Sequence, residues 1–345
     1  MRSTVFHGPG AVSLDTVPDA GLREATDAVV RVLCSCICGS DIWAYRGIAK
    51  RSPGQPIGHE FVGVVDAIGS EVRTLRPGDV VVAPFFWCDG TCVQCARGVP
   101  TSCIAGGFWG RSTGADGGQA EAVRVPHADG TLVAVDATED DERLPALLTL
   151  ADVMGTGLHA AKCAEVGPGD VVAVVGDGAV GLCGVLAARR LGAERVIMLG
   201  RNDARLAIAR RFGATDVVRH RGAAAAEGVR ELTAGLGADR VLECVGTEES
   251  IATAIAASAD GGTVGYVGVP HGVLRAPIRE MFGRSVALRG GIAPVRRYIP
   301  ELVGDVLHGD LDPSPVFDVG LPLAAVEEGY ATMDARLATK VLLRC

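Results

Sequence analysis

Hydrophobic and polar positions change their rhythm twice along this chain. Up to about residue 150 the apolar positions fall in short runs rich in branched side chains, DAVVRVLC, EFVGVVDAIG, GDVVVAP, EAVRVP and TLVAV, broken by Gly and Pro. Such runs predict strands, and a series of them predicts an antiparallel, barrel-like domain. Two interruptions, RSPGQPIGHE and FFWCDGTCVQCARGVPTSCIAGGFWGRSTGADGGQ, are longer than ordinary connections. Loops of that length tend to be functional.

From about residue 153 strand-like and helix-like runs alternate: VVAVVG with GLCGVLAARRLGA, RVIMLG with ARLAIARRFGA, DVVRH with AEGVRELTAGLGA, RVLECVG with ESIATAIAASA, then TVGYVGV and VALRGGI. Six strands alternating with helices predict an α/β fold with a doubly wound parallel sheet. After about Ala293 the alternation stops, and PELVGDVLHGDL and KVLLRC are read as completing the first domain. The predicted division is 1–153 with 290–345, around an inserted 154–289.

Composition narrows the function classes. At 345 residues the chain exceeds the roughly 250 to 300 at which one core stops growing, which agrees with two domains. Glycine, 47 residues without a collagen-like period, suits tight strand-to-helix turns. A net charge of −8 with no basic block argues against nucleic acid, whose binding rests on Lys and Arg. The first residues lack an apolar signal core and no run of about 18 or more apolar residues occurs, so neither secretion nor membrane insertion is expected. Eleven cysteines, four of them between Cys88 and Cys103, point to metal binding in a reducing cytoplasm.

Gly176-Asp177-Gly178-Ala179-Val180-Gly181 follows a branched strand and opens a helix. In that setting the first Gly makes the turn, the second admits a pyrophosphate, and the third lets helix and strand pack closely. The next strand ends in Gly200-Arg201-Asn202, where NAD-binding chains carry an acid for the ribose. Gly200 leaves room for a 2′-phosphate and Arg201 can pair with it, so NADP is expected ahead of NAD. Asp203 keeps NAD open.

Cys38-Gly39-Ser40-Asp41 offers a thiolate, and Gly58-His59-Glu60 an imidazole with a carboxylate beside it. Zinc accepts this mixture, and so few thiolates suit an open, catalytic site. Cys34 and Cys36 alternate with Cys38 and are read as packing. Cys88, Cys92, Cys95 and Cys103 lie close together among polar residues and are expected to hold a second, closed zinc.

With GHE, the four-cysteine loop and the glycine fingerprint in this order, the whole chain resembles the zinc-dependent medium-chain alcohol dehydrogenase family. The resemblance implies a Rossmann domain inserted in a GroES-like β-barrel catalytic domain, with a catalytic zinc in the cleft between them. It places Cys38, His59, Glu60 and Asp152 at that zinc, Ser40 at the start of a proton relay, Asp41 behind His59, Thr156 at the nicotinamide, and Lys340 near the cofactor. Two departures stand out. The family spacing CGxCxxCxxGxxxxC puts Asp89 where its first cysteine belongs, leaving open whether Cys88 or Asp89 ligates or the zinc binds weakly. Trp43 also stands where several relatives place a relay histidine, so the relay is expected to end in the cofactor ribose and water.

The expected activity is reversible oxidation of a small-molecule alcohol, secondary or polyol-like, to a carbonyl with NADP, by a homo-oligomeric dimer or tetramer. Trp43, Phe86 and Trp109 are candidates for the substrate wall or for the core. The alternatives are a zinc-free quinone or enoyl reductase of the same superfamily, which would lack the donor set, and a non-catalytic NADPH-binding zinc protein.

Overall fold

The computed structural model describes residues 1–112, 116–270, 272 and 275–345. The chain forms two compact units, Met1–Asp152 with Pro294–Cys345, and Val153–Ala293. A join at 289/290 would cut the strand Ala287–Gly290, which pairs along its length with Ser258–Tyr266. The chain leaves the second unit only after that strand is complete.

In the first unit Ala28–Ile37 is the central strand. It pairs antiparallel with Phe61–Ile68, with Ala122–Val125 and with Val341–Arg344. The KVLLRC segment thus returns to complete the sheet opened by DAVVRVLC. One neighbouring pair, Val319–Pro322 with Val341–Arg344, is parallel. Parallel neighbours need a crossover, here through the helix Val326–Asp334. Arg2–Gly8, Ala11–Thr16 and Gln55–Pro56 form a smaller sheet.

The core of this unit gathers Val30, Val32, Phe61, Val65, Val81 and Trp109. Trp109 donates its indole N–H to the Pro84 carbonyl at 2.8 Å and meets the Phe61 ring edge-on at 5.5 Å. Trp109 and Phe86 are both buried, so each packs in the protein interior. Cys34 and Cys36 are buried as well, and burial pushes the Cys34 thiol up to about 12. A thiol held that firmly protonated is a small hydrophobe. Buried Asp27 accepts from the Arg124 guanidinium at 2.6 and 3.2 Å and from the Arg23 and Glu24 amides. Removing one partner of such a buried pair costs about 3 to 5 kcal/mol.

The second unit is a parallel six-stranded sheet in the order Asp216–Val218, Arg195–Leu199, Val171–Val175, Ala238–Glu243, Ser258–Tyr266, Ala287–Gly290. Val171–Val175 and Arg195–Leu199 are almost wholly buried, as expected of parallel strands covered on both faces. Strand order reverses beside Val171–Val175, which places the glycine fingerprint at the switch point where such sheets bind ligands. Among the described residues no helix is long and apolar enough to cross a membrane.

Candidate metal and dinucleotide sites

Cys38 ends the central strand and caps the helix Gly39–Tyr45. That helix turns Asp41 inward, where it is buried, while Ser40 is half-buried one residue into the helix. His59 and Glu60 stand at the entry to Phe61–Ile68, immediately after Gly58. Gly58 has φ +95°, and a Cβ there would lie 2.5 Å from the Gln119 amide. Only glycine therefore fits before this histidine. Asp152 follows the helix Leu144–Thr149.

These residues converge. One donor atom each from Cys38, His59, Glu60 and Asp152 lies within 4.8 Å of the other three. His59 Nε2 is 3.5 Å from Asp152 Oδ2 and 3.8 Å from Glu60 Oε1, and Cys38 Sγ is 3.7 Å from Asp152 Oδ2. On its other side His59 Nδ1 faces Asp41 Oδ1 at 3.5 Å. The imidazole is thus oriented by a carboxylate on Nδ1, with Nε2 turned into the donor set.

Burial would lower the His59 pKa, but Asp41 and Cys38 outweigh it and hold it well above the usual imidazole range. Burial pushes the Glu60 carboxyl up, against the charge of Lys340. Lys340, which the resemblance places near the cofactor, is buried with Nζ 2.6 Å from Glu60 Oε1. Its place immediately before strand Val341–Arg344 carries the ammonium inward, and Glu60 supplies the counter-charge. Glu60 Oε2 is buried with no hydrogen-bond partner. A soft sulfur, a pre-oriented imidazole and two carboxylates, one of them with an orphaned oxygen, fit a borderline-soft dication such as zinc.

Three contributors gave no sequence signal. Arg51, almost fully buried, has Nη2 3.5 Å from Asp41 Oδ1. Gln119 donates to the Cys36 carbonyl at 3.0 Å and to Asp41 Oδ2 at 3.4 Å, and the Tyr330 hydroxyl donates to Gln119 at 3.1 Å. They hold Asp41 from distant loops and helices, which no local pattern announces.

In the cysteine-rich loop the converging donors are Asp89, Cys92, Cys95 and Cys103. Cys92 Sγ lies 3.6 Å from Cys95 Sγ and 3.8 Å from Cys103 Sγ. Of the two candidates for the fourth ligand, Asp89 joins this group and Cys88 does not: the Cys88 Sγ points to the Gly130 carbonyl at 3.2 Å, and burial pushes its thiol up to about 11. Asp89 Oδ1 accepts the Thr91 and Cys92 amides at 2.8 and 2.9 Å. Against slight burial, those amides bring its carboxyl to about 2. Three sulfurs and one charged oxygen fit a closed zinc site.

In the second unit Gly176 has φ +109°, and a Cβ on Gly181 would come 1.8 Å from the Gly176 carbonyl oxygen. Gly178 caps the helix Ala179–Arg190, and Ala179 and Val180 form its half-buried first turn. A turn this tight, with open space at Gly178, fits a pyrophosphate at a helix N-terminus. Gly200 is buried, Arg201 exposed, and Thr156 buried in the helix Val153–Cys163.

Comparison with known proteins agrees with this architecture. A family model described as alcohol dehydrogenase GroES-like domain matches residues 24–136, and one described as zinc-binding dehydrogenase matches 179–307. The chain is 37% identical over 338 residues to the "Probable zinc-binding alcohol dehydrogenase" of Mycobacterium tuberculosis, covering 97% of this chain and 86% of that protein. It is 31% identical to zinc-type alcohol dehydrogenase B of Aspergillus flavus, covering 100% of this chain and 81% of that one. Among solved structures, alcohol dehydrogenase from Thermus sp. ATN1 superposes with a TM-score of 0.92 at 34% identity, covering 100% and 99% of the two chains. A zinc-binding dehydrogenase of Sinorhizobium meliloti bound to NADP gives 0.85 at 26%, covering 100% and 99%. Fold and donor sets define a dinucleotide-dependent dehydrogenase of the zinc class. The chain belongs to the zinc-dependent medium-chain alcohol dehydrogenase family, with a GroES-like domain and an inserted Rossmann domain.

Proposed function

We propose that this zinc-dependent oxidoreductase reversibly converts a small secondary or polyol-like alcohol to its carbonyl with NADP. The convergence of Cys38, His59, Glu60 and Asp152 within 4.8 Å carries the proposal. When bound, zinc supplies Lewis acidity that eases loss of an alcohol proton, and the nicotinamide supplies a hydride acceptor. Cys38, His59 and Asp152 would hold the metal. Asp41 keeps Nε2 of His59 directed at it, and Lys340 keeps one oxygen of Glu60 occupied while leaving the other available. The Ser40 hydroxyl would take the substrate proton, and Trp43 offers no base to receive it next.

NADP is supported by exposed Arg201, by the lack of an acid at Gly200 itself, and by the NADP bound in the Sinorhizobium meliloti relative. Free cysteines throughout the described chain support a cytoplasmic setting. Strongly exposed Ile278 and Phe282 on one short helix support a homo-oligomer, which a monomer mass in light scattering would refute. The direct test is a panel of alcohols and carbonyls run in parallel with NADP and NAD, following absorbance of the reduced nicotinamide. Turnover of secondary alcohols that falls in Ser40→Ala is expected; no turnover with any alcohol would leave a non-catalytic zinc protein.

A further inference from the structure

The fingerprint contains a carboxylate that phosphate binding does not need. Asp177 lies between Gly176 and Gly178, yet its side chain reaches the end of the neighbouring strand. A Cβ built on Gly200 would lie 2.6 Å from the Asp177 Cβ and 2.7 Å from its Oδ2. Asp177 therefore fills the space a side chain at residue 200 would occupy. That is where dinucleotide folds place the acid that binds the adenosine ribose. This chain delivers a carboxylate to the same place from the adjacent turn.

Its partners are the groups an incoming 2′-phosphate would use. Asp177 Oδ2 accepts the Arg201 amide at 2.8 Å and the Asn202 amide at 3.1 Å, and Oδ1 lies 3.7 Å from the Arg205 guanidinium. Two backbone donors and one cation are thus already engaged by an anion. The other carboxylate of this turn, Asp203, pairs with Arg219 at 2.6 Å. The exposed Arg201 side chain favours a 2′-phosphate, whereas Asp177 repels it and competes for its donors.

We propose that Asp177 is a specificity-determining residue that limits how strongly this chain prefers a 2′-phosphorylated dinucleotide. The proposal rests on the assignment of this loop to the adenosine end of NADP. It is tested by calorimetric titration of the full-length protein with adenosine 2′,5′-bisphosphate and with AMP, in the wild type, Asp177→Asn, Asp177→Ser and Arg201→Ala. Asp177→Asn removes the charge but keeps an oxygen for the two amides. It should raise the affinity ratio of bisphosphate to AMP about tenfold, the scale of removing one nearby like charge, mainly through tighter bisphosphate binding. Asp177→Ser should move the ratio in the same direction and serves if the asparagine variant does not fold. An unchanged ratio, or an equal loss for both ligands, would overturn the proposal and leave Asp177 as a pin for the loop. Failure of the NADP assignment looks different: the wild type would not favour the bisphosphate, and Arg201→Ala would not weaken it.

Discussion

The two donor clusters are built from similar atoms by opposite means. Asp89, Cys92, Cys95 and Cys103 come from one loop and are partly exposed, and their carboxylate is held by amides two and three residues away. Cys38, His59, Glu60 and Asp152 come from three separate places in the chain, and His59 and Glu60 are buried with Asp41 and Lys340 behind them. A loop that carries its own ligands needs only local geometry to close on a metal. A site assembled across a sheet needs the whole unit folded first, and gains a buried environment in which charges interact strongly. The difference separates a clamp from a chemical centre.

The largest effect should come from breaking the assembled cluster. Cys38→Ser or His59→Ala is expected to lower kcat/KM by more than about 100-fold, because losing a ligand should exceed the 10- to 100-fold typical of losing a ligand's supporting partner. Steady-state kinetics alongside zinc content would check this, and a variant with full turnover would remove these residues from the centre. A smaller loss, about 10- to 100-fold in activity or metal affinity, is expected for Asp41→Ala, which deprives His59 Nδ1 of its carboxylate. Competition with a chromophoric chelator reads the affinity directly; no change would mean that Asp41 does not orient the imidazole. The smallest catalytic effect belongs to the loop. Asp89→Ala should lower bound zinc from two to one per chain with turnover largely kept, while Cys88→Ala leaves two. Elemental analysis of both variants decides this, and the reverse pattern would restore Cys88 as the ligand.

Much of the architecture was readable from one sequence because its signals are local. Branched runs in the first 150 residues became the strands of the antiparallel sheet, and the alternating runs after residue 153 became the six parallel strands. The glycine fingerprint was readable because backbone conformation and close packing dictate its residue types. Less was readable where neighbours distant in sequence decide. Lys340 reads as one more basic residue until strand pairing carries it beside Glu60. Asp152 stood out from the other acids only through family resemblance. Spacing left Cys88 and Asp89 both open, and only the fold turns the Cys88 side chain to Gly130 while Asp89 joins the cluster.

The sequence by itself determined two domains, their strand and helix rhythm, the phosphate-binding turn and the presence of two thiol-bearing clusters, since periodicity, glycine spacing and cysteine density all act within a few residues. Tertiary structure alone decided that Asp89 and not Cys88 converges with the three loop cysteines, that Asp41 is held by Arg51 and Gln119, that Lys340 is paired inside, and that Asp177 reaches the loop after the second strand. Charged side chains take their roles from whatever folding places within a few ångströms of them, and that proximity is set by strand pairing and chain return, not by neighbours along the chain.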